Sequence, residues 1–209
     1  MEDRSVKNQS SYIIIGTGGF AIELASLIKD LGLTLQGFVG PENTTAMEGQ
    51  WLGDDDCLVD IDQKENLIIA IGDPSKRQEI ANKIGKINLS LSTFIHSNSY
   101  ISRSSSIGIG TMIYPNSSIH ASVKLGEGVL INSNVTIGHE TTIDSFVNVG
   151  PGASIGGRCK LGKRVYIGIG SSIIENISII DDAYIGAGAV INKDITEKGT
   201  YVGVPAKKI

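Results

Sequence analysis

From Ile95 onward an aliphatic residue returns at every sixth position, through Ile101, Ile107, Ile113, Ile119 and Leu125, as far as Ile191. All 17 of these positions are aliphatic, and 14 are isoleucine. Four residues after each comes a small or β-branched residue, such as Thr111, Val135, Ala153, Cys159, Ser171 or Ala189. The position directly after the aliphatic is often glycine or a small polar residue, with Gly108, Gly126, Gly138, Gly156 and Gly168 among the glycines. The phase never slips before Thr196, so no loop interrupts it. This period predicts a parallel β-helix of hexapeptide repeats. Each hexad is a short strand and a corner, with the aliphatic side chain inside the prism and glycine or a polar residue allowing the bend. Three hexads make one triangular coil, so residues 18 apart stack on one face. Coils rise by about 4.8 Å each.

The first ninety residues follow other periods. Tyr12–Ile15 is a short apolar strand, followed by Gly16-Thr17-Gly18-Gly19-Phe20 and a helix over about 21–31. Leu35–Val39 and Asn66–Ile71 read as a second and third strand. Asp73 is a good N-cap and Pro74 a good first helical residue, opening a helix to about Ile84. Strands alternating with helices predict a small α/β domain of Rossmann-like type, over 1–90, followed by the all-β prism with a terminal cap over 91–209.

Composition supports this picture. Among 209 residues there are 26 glycines and 5% aromatics, a balance suited to tight turns around a narrow aliphatic core. The net charge of -4 gives no nucleic-acid or anionic-membrane footprint. Cys57 and Cys159 do not make a disulfide scaffold. The residues before Ser11 carry no apolar signal core, and no apolar run is long enough to span a membrane. The expected compartment is the cytoplasm.

Gly16-Thr17-Gly18-Gly19-Phe20-Ala21 fits G-x-G-x-x-A. The acidic ribose anchor of a full dinucleotide site is missing, because the second strand runs out as Phe38-Val39-Gly40-Pro41-Glu42. A single nucleotide-sugar diphosphate at the helix N-terminus fits this short domain better.

The IIIGTGGF opening, the IAIGDPSKR segment, the hexads, the IGHETTI hexad and the GVPAKKI ending together resemble the left-handed β-helix sugar acetyltransferases. The pattern is most similar to the bacterial nucleotide-amino-sugar N-acetyltransferases of the bacillosamine pathway, and to the sialic acid O-acetyltransferase group. The resemblance spans nearly the whole chain and supplies the left hand, which periodicity alone does not. It implies acetyl-CoA as co-substrate, transfer to the amino group of a nucleotide-linked sugar, and a homotrimer with sites between subunits. O-acetylation of a sialic acid or related sugar is the alternative, and a non-catalytic sugar-nucleotide-binding module the second.

Under this resemblance His139 is the general base and Glu140 supports it. An imidazole suits removal of a proton as an amine attacks a thioester, and a carboxylate orients it. Gly18, Gly19, Phe20 and Gly72 match the nucleotide-sugar contacts. Several relatives carry His where Phe20 stands and an Asp pair where Gly40-Pro41 stands. Asn148, Gly157, Ile169 and Ala187 match the acetyl-CoA contacts, and Lys207 and Lys208 lie near the phosphates in this reading. His96, His120 and His139 invite a zinc reading, but His96 and His120 are 24 residues apart and so fall on different faces. No metal is expected.

Overall fold

The computed structural model describes residues 11–41, 49–63 and 65–209; Glu42 and the polar residues before Ser11 lie outside them. The Cα positions form two units, Met1–Ile71 with Asn82–Leu91, and Gly72–Ala81 with Ser92–Ile209.

The first unit is a four-stranded parallel sheet in the order β3-β2-β1-β4: β1 Tyr12–Ile15, β2 Leu35–Val39, β3 Gln50–Gly53 and β4 Asn66–Ile69. Ile13, Ile14, Ile15 and Leu67, Ile68, Ile69 are all buried, the continuous apolar run of a parallel strand covered on both faces. Helix α1, Gly19–Asp30, buries Ala21, Leu24, Ala25 and Ile28, which recur at helical spacing. It begins two residues earlier than the apolar pattern suggests, because the N–H groups of Ala21 and Ile22 return to the Gly18 carbonyl.

Strand β3 is absent from the sequence reading. It is a four-residue edge strand containing a glycine and lacks the alternation that marks a strand. The Trp51 indole N–H anchors it by donating to the Gly40 carbonyl at 2.9 Å. A 3₁₀ helix, Asp55–Asp60, follows. Helix α2, Pro74–Lys86, has the expected cap: the Lys76 N–H donates to Asp73 Oδ1 at 2.8 Å.

The second unit is the prism. Its two-residue strands form three parallel sheets, with partners 18 residues apart: Asn148 between Leu130 and Tyr166, Thr136 beside Ser154, and Thr142 beside Lys160. We call these the first, second and third faces, beginning with Phe94–Ile95, Tyr100–Ile101 and Ser106–Ile107. The interior holds both periodic sets, the aliphatic residues such as Ile113, Ile137 and Ile167 and the small ones such as Val135, Ala153 and Cys159. At five buried inward small positions that carry a hydroxyl or thiol, the side chain bonds to the carbonyl fifteen residues on. Thr111 donates to Gly126, Ser117 to Asn132, Thr141 to Gly156, Cys159 to Ile174 and Ser171 to Gly186, at 2.7–3.1 Å. Buried polar atoms are thus satisfied inside an aliphatic core.

The bend is made by glycine or a polar residue, with Phe146 the exception, and it lies three positions after the aliphatic. Fourteen successive corners from Gly110 to Gly188 have a left-handed third residue, and nine of these are not glycine. The glycine directly after the aliphatic answers to crowding instead. A Cβ on Gly138 would meet the Gly157 nitrogen at 2.5 Å, and one on Gly168 the Ala187 nitrogen at 2.6 Å.

Beyond the hexads, Thr200–Val202 joins the first face and pairs antiparallel with Lys207–Lys208, while Tyr201 and Ala206 pack on the core as the terminal cap.

Candidate active site

His139 and Glu140 occupy the corner between the second and third faces. Adjacent residues on a strand point apart, but Glu140 has φ +60, and this left-handed turn swings its carboxylate back. Glu140 Oε2 lies 2.9 Å from His139 Nδ1, with the two side chains 58% and 50% exposed. An ionised carboxylate only accepts, so Nδ1 carries the proton and Nε2 presents a lone pair.

One coil on, Gly157 forms the floor beneath the ring. A Cβ there would lie 2.8 Å from Nε2 and 2.9 Å from Cε1. The corner carrying Gly157 is pinned on both sides. Thr141 Oγ1 donates to the Gly156 carbonyl at 2.9 Å and accepts from the Cys159 N–H at 3.1 Å. The Arg158 N–H donates to the His139 carbonyl at 2.8 Å. The site therefore offers a carboxylate-oriented base on an exposed corner, with room for a reactant above a side-chain-free backbone.

Two of the other expected cofactor positions, Ile169 and Ala187, are exposed on successive coils of the corner between the first and second faces, Ile169 at 61%. Asn148 differs. It faces outward from the first face, yet only 1% of it is exposed, and its Oδ1 has no hydrogen-bond partner among the described residues. The neighbouring outward residues Met112 and Leu130 are buried with it. Lys208 reaches Glu197 at 2.9 Å.

The remaining thiol and histidines occupy separate settings. Cys159 is fully buried, and burial pushes its thiol up from the usual range, which disfavours the reactive thiolate. His96 is buried, with its Nδ1 accepting from the Asn98 N–H at 3.1 Å. His120 meets Tyr100 edge-on at 6.4 Å. Among the described residues no three metal-ligating side chains converge.

In the first unit the loop glycines separate by cause. Gly16 has φ +129, and a Cβ there would meet the Ala70 carbonyl at 2.8 Å, so the fold requires it. Gly18 and Gly19 have open space around them. Gly18 caps α1 without a side-chain hydrogen bond, and no acidic residue occupies the helix's first turn. That leaves N–H groups at a positive helix end for an anion, with Phe20 half-buried beside them. Asp54, Asp55 and Asp56, with Pro41, line a cavity of about 420 Å³; these carboxylates follow β3 and so escape a reading focused on the end of β2.

Gly72, in the second unit, turns into α2 and accepts from Arg77 Nη1 at 3.2 Å. Sequence reasoning missed Arg77 itself. It is 1% exposed, and its guanidinium donates to the carbonyls of Gly128, Phe146 and Val147 at 2.8, 2.9 and 3.1 Å. Burial lowers its pKa to about 10. The signal was the arginine in the IAIGDPSKR segment, four residues after the cap.

Residues 12–84 match the PglD N-terminal domain family, and residues 104–139 match the bacterial transferase hexapeptide (six repeats) family. A comparison with the curated proteins gives no significant match. Among solved structures, the acetyltransferase domain of PglB from Neisseria gonorrhoeae, in complex with acetyl coenzyme A, is 26% identical. The alignment covers 97% of this chain and 100% of that one, with a TM-score of 0.91. A histidine-to-asparagine variant of perosamine N-acetyltransferase from Caulobacter crescentus, in complex with CoA and GDP-perosamine, is 28% identical over 96% of each chain, with a TM-score of 0.90. WeeI from Acinetobacter baumannii shares the fold, at 23% identity over 96% of this chain and 100% of that one and a TM-score of 0.87. The architecture is a small α/β domain followed by a left-handed parallel β-helix.

Proposed function

We propose that this chain, a hexapeptide-repeat acetyltransferase with a PglD-type N-terminal domain, transfers an acetyl group from acetyl-CoA to the amino group of a nucleotide-linked sugar. The observation that carries this reading is the His139–Glu140 pair, bonded at 2.9 Å on an exposed corner above Gly157. His139 Nε2 takes the proton released as the sugar amine attacks the thioester carbonyl, and Glu140 holds Nδ1 and supports the imidazolium. The Gly157 N–H makes no hydrogen bond among the described residues, which leaves it available to a developing oxyanion. Acetyl transfer then gives the amide and free CoA within one ternary complex.

Acetyl-CoA is assigned to Asn148, Gly157, Ile169 and Ala187, of which Ile169 is exposed and Asn148 is buried in the single chain. The nucleotide sugar is assigned to Gly18, Gly19, Phe20 and Gly72. The open space at Gly18 and Gly19 supports this, since neither packing nor backbone conformation requires glycine there. A homotrimer is supported by exposed apolar side chains on the prism, including Ile169, Ile174, Ile180 and Tyr184. The cytoplasm suits free thiols at Cys57 and Cys159 and an acetyl-CoA-dependent reaction; no helix among the described residues is long and apolar enough to cross a membrane.

The test is acetyl-CoA with a panel of UDP-, dTDP-, GDP- and CMP-linked amino sugars, read by thiol release and product mass. One acetyl group added to a nucleotide amino sugar, stable to mild base, is expected. A base-labile product makes the reaction O-acetylation. Binding of a nucleotide sugar without thiol release from any substrate makes the protein a binding module.

A further inference from the structure

The acetyltransferase reading assigns nothing to Arg158. This residue follows Gly157 one coil beyond Glu140, and Asn176 lies one coil further. All three corners have the same left-handed backbone, with φ +60 at Glu140, +58 at Arg158 and +63 at Asn176. Equal conformation at 18-residue spacing stacks the three side chains in one column. Arg158 Nε donates to Asn176 Oδ1 at 2.8 Å, which fixes the guanidinium plane. Its Nη1 then lies 3.9 Å from Glu140 Oε2. That same oxygen accepts from His139 Nδ1 at 2.9 Å. The backbone ties the column as well: the Asn176 N–H donates to the Gly157 carbonyl at 2.9 Å.

We propose that Arg158 is a positioning residue for acetyl transfer: held by Asn176, it shares Glu140 Oε2 with His139 and sets how strongly the carboxylate supports the imidazole. This deepens the acetyltransferase reading and rests on it. A carboxylate favours the imidazolium, and a guanidinium on the same oxygen opposes that support. At this corner the preceding coil presents Ala121 and Ser122, which carry no charge, and the following coil presents Gly157 and Arg158. Lys124 and Lys160 stand on the third face on either side of Thr142, and Arg103 and Glu175 lie two coils away along the corner. Among the described residues, Arg158 is the cationic side chain paired with Glu140 besides His139.

The experiment measures kcat/KM against pH for the full chain and for R158M, R158K and N176A, with acetyl-CoA and the accepted nucleotide sugar. R158M is expected to move the acid limb to higher pH by roughly 0.2–0.7 units, the range of an exposed ion pair, with the acetyl-CoA KM within about twofold. R158K moves it less, and N176A, which frees the guanidinium, shifts it in the same direction. An unmoved profile in a folded R158M overturns the proposal. So does a roughly tenfold rise in acetyl-CoA KM without a profile shift, which would make Arg158 a contact to a CoA phosphate. If R158M does not fold, unmoved profiles in both R158K and N176A overturn it. An unmodified chain that turns over no substrate overturns the acetyltransferase reading as well, so the two failures are distinguishable.

Discussion

Gly157 separates catalytic geometry from stability. An alanine Cβ there would collide with the His139 ring, with Nε2 at 2.8 Å, and the ring is half exposed and free to swing away. Gly157→Ala should therefore leave the melting temperature nearly unchanged while kcat falls about tenfold or more, because the base is displaced. Equal activity in this variant would show that the floor under the imidazole is irrelevant. The His139–Glu140 pair was legible in the sequence because IGHE places an imidazole and a carboxylate outside the aliphatic stack. Their contact was expected only through the resemblance, because it depends on a left-handed Glu140, a conformation that the six-residue period does not specify. The role of Gly157 beneath the ring was hidden for a related reason: a glycine in a glycine-rich repeat carries no label for what lies above it.

At the scale of elements, two anchors set the stability of the prism unit. Arg77, on the first turns of α2, satisfies carbonyls at Gly72, Gly128, Phe146 and Val147. Arg77→Met should destabilise the protein by roughly 2–4 kcal/mol, since buried carbonyls lose their donors while the cost of burying the charge is relieved. Urea unfolding reads this directly, and an unchanged midpoint would contradict it. The second anchor is a corner ion cluster in which Asp182 accepts from Arg164 and Lys198, each at 2.6 Å. The hydrogen bond from Arg164 is the main cause that lowers the Asp182 carboxyl from 3.8 to about 2. A lowered folded-state value means the contribution is present above about pH 4 and is lost as the pH falls toward 2. Asp182→Asn should flatten the acid dependence of the melting temperature in that window, and an unaltered slope would count against the cluster. The six-residue period gave the prism strands their places because each inward residue is demanded by the core. The period gave no such information for β3, a short exposed edge strand, and it did not separate the glycines that crowding requires from the residues that turn the chain.

For the whole molecule, the aliphatic prism leaves Ile169, Ile174, Ile180 and Tyr184 exposed, and association of three copies would cover such surface. Light scattering should give about three times the chain mass of 22.1 kDa, and a monomer would contradict an interfacial site. The order of α/β domain and prism was legible from periodicity, while the reaction was legible only through resemblance, because hexads alone specify a scaffold and not a substrate. The central claim is that His139 is the base for acetyl transfer. Its most direct test is the turnover of His139→Ala beside that of His120→Ala, whose ring instead packs edge-on against Tyr100. His139→Ala should lower kcat by about 10²–10⁴-fold with acetyl-CoA binding and fold retained, while His120→Ala stays near normal. Near-normal turnover of His139→Ala across pH 6–9, or equal loss in both variants, would contradict it.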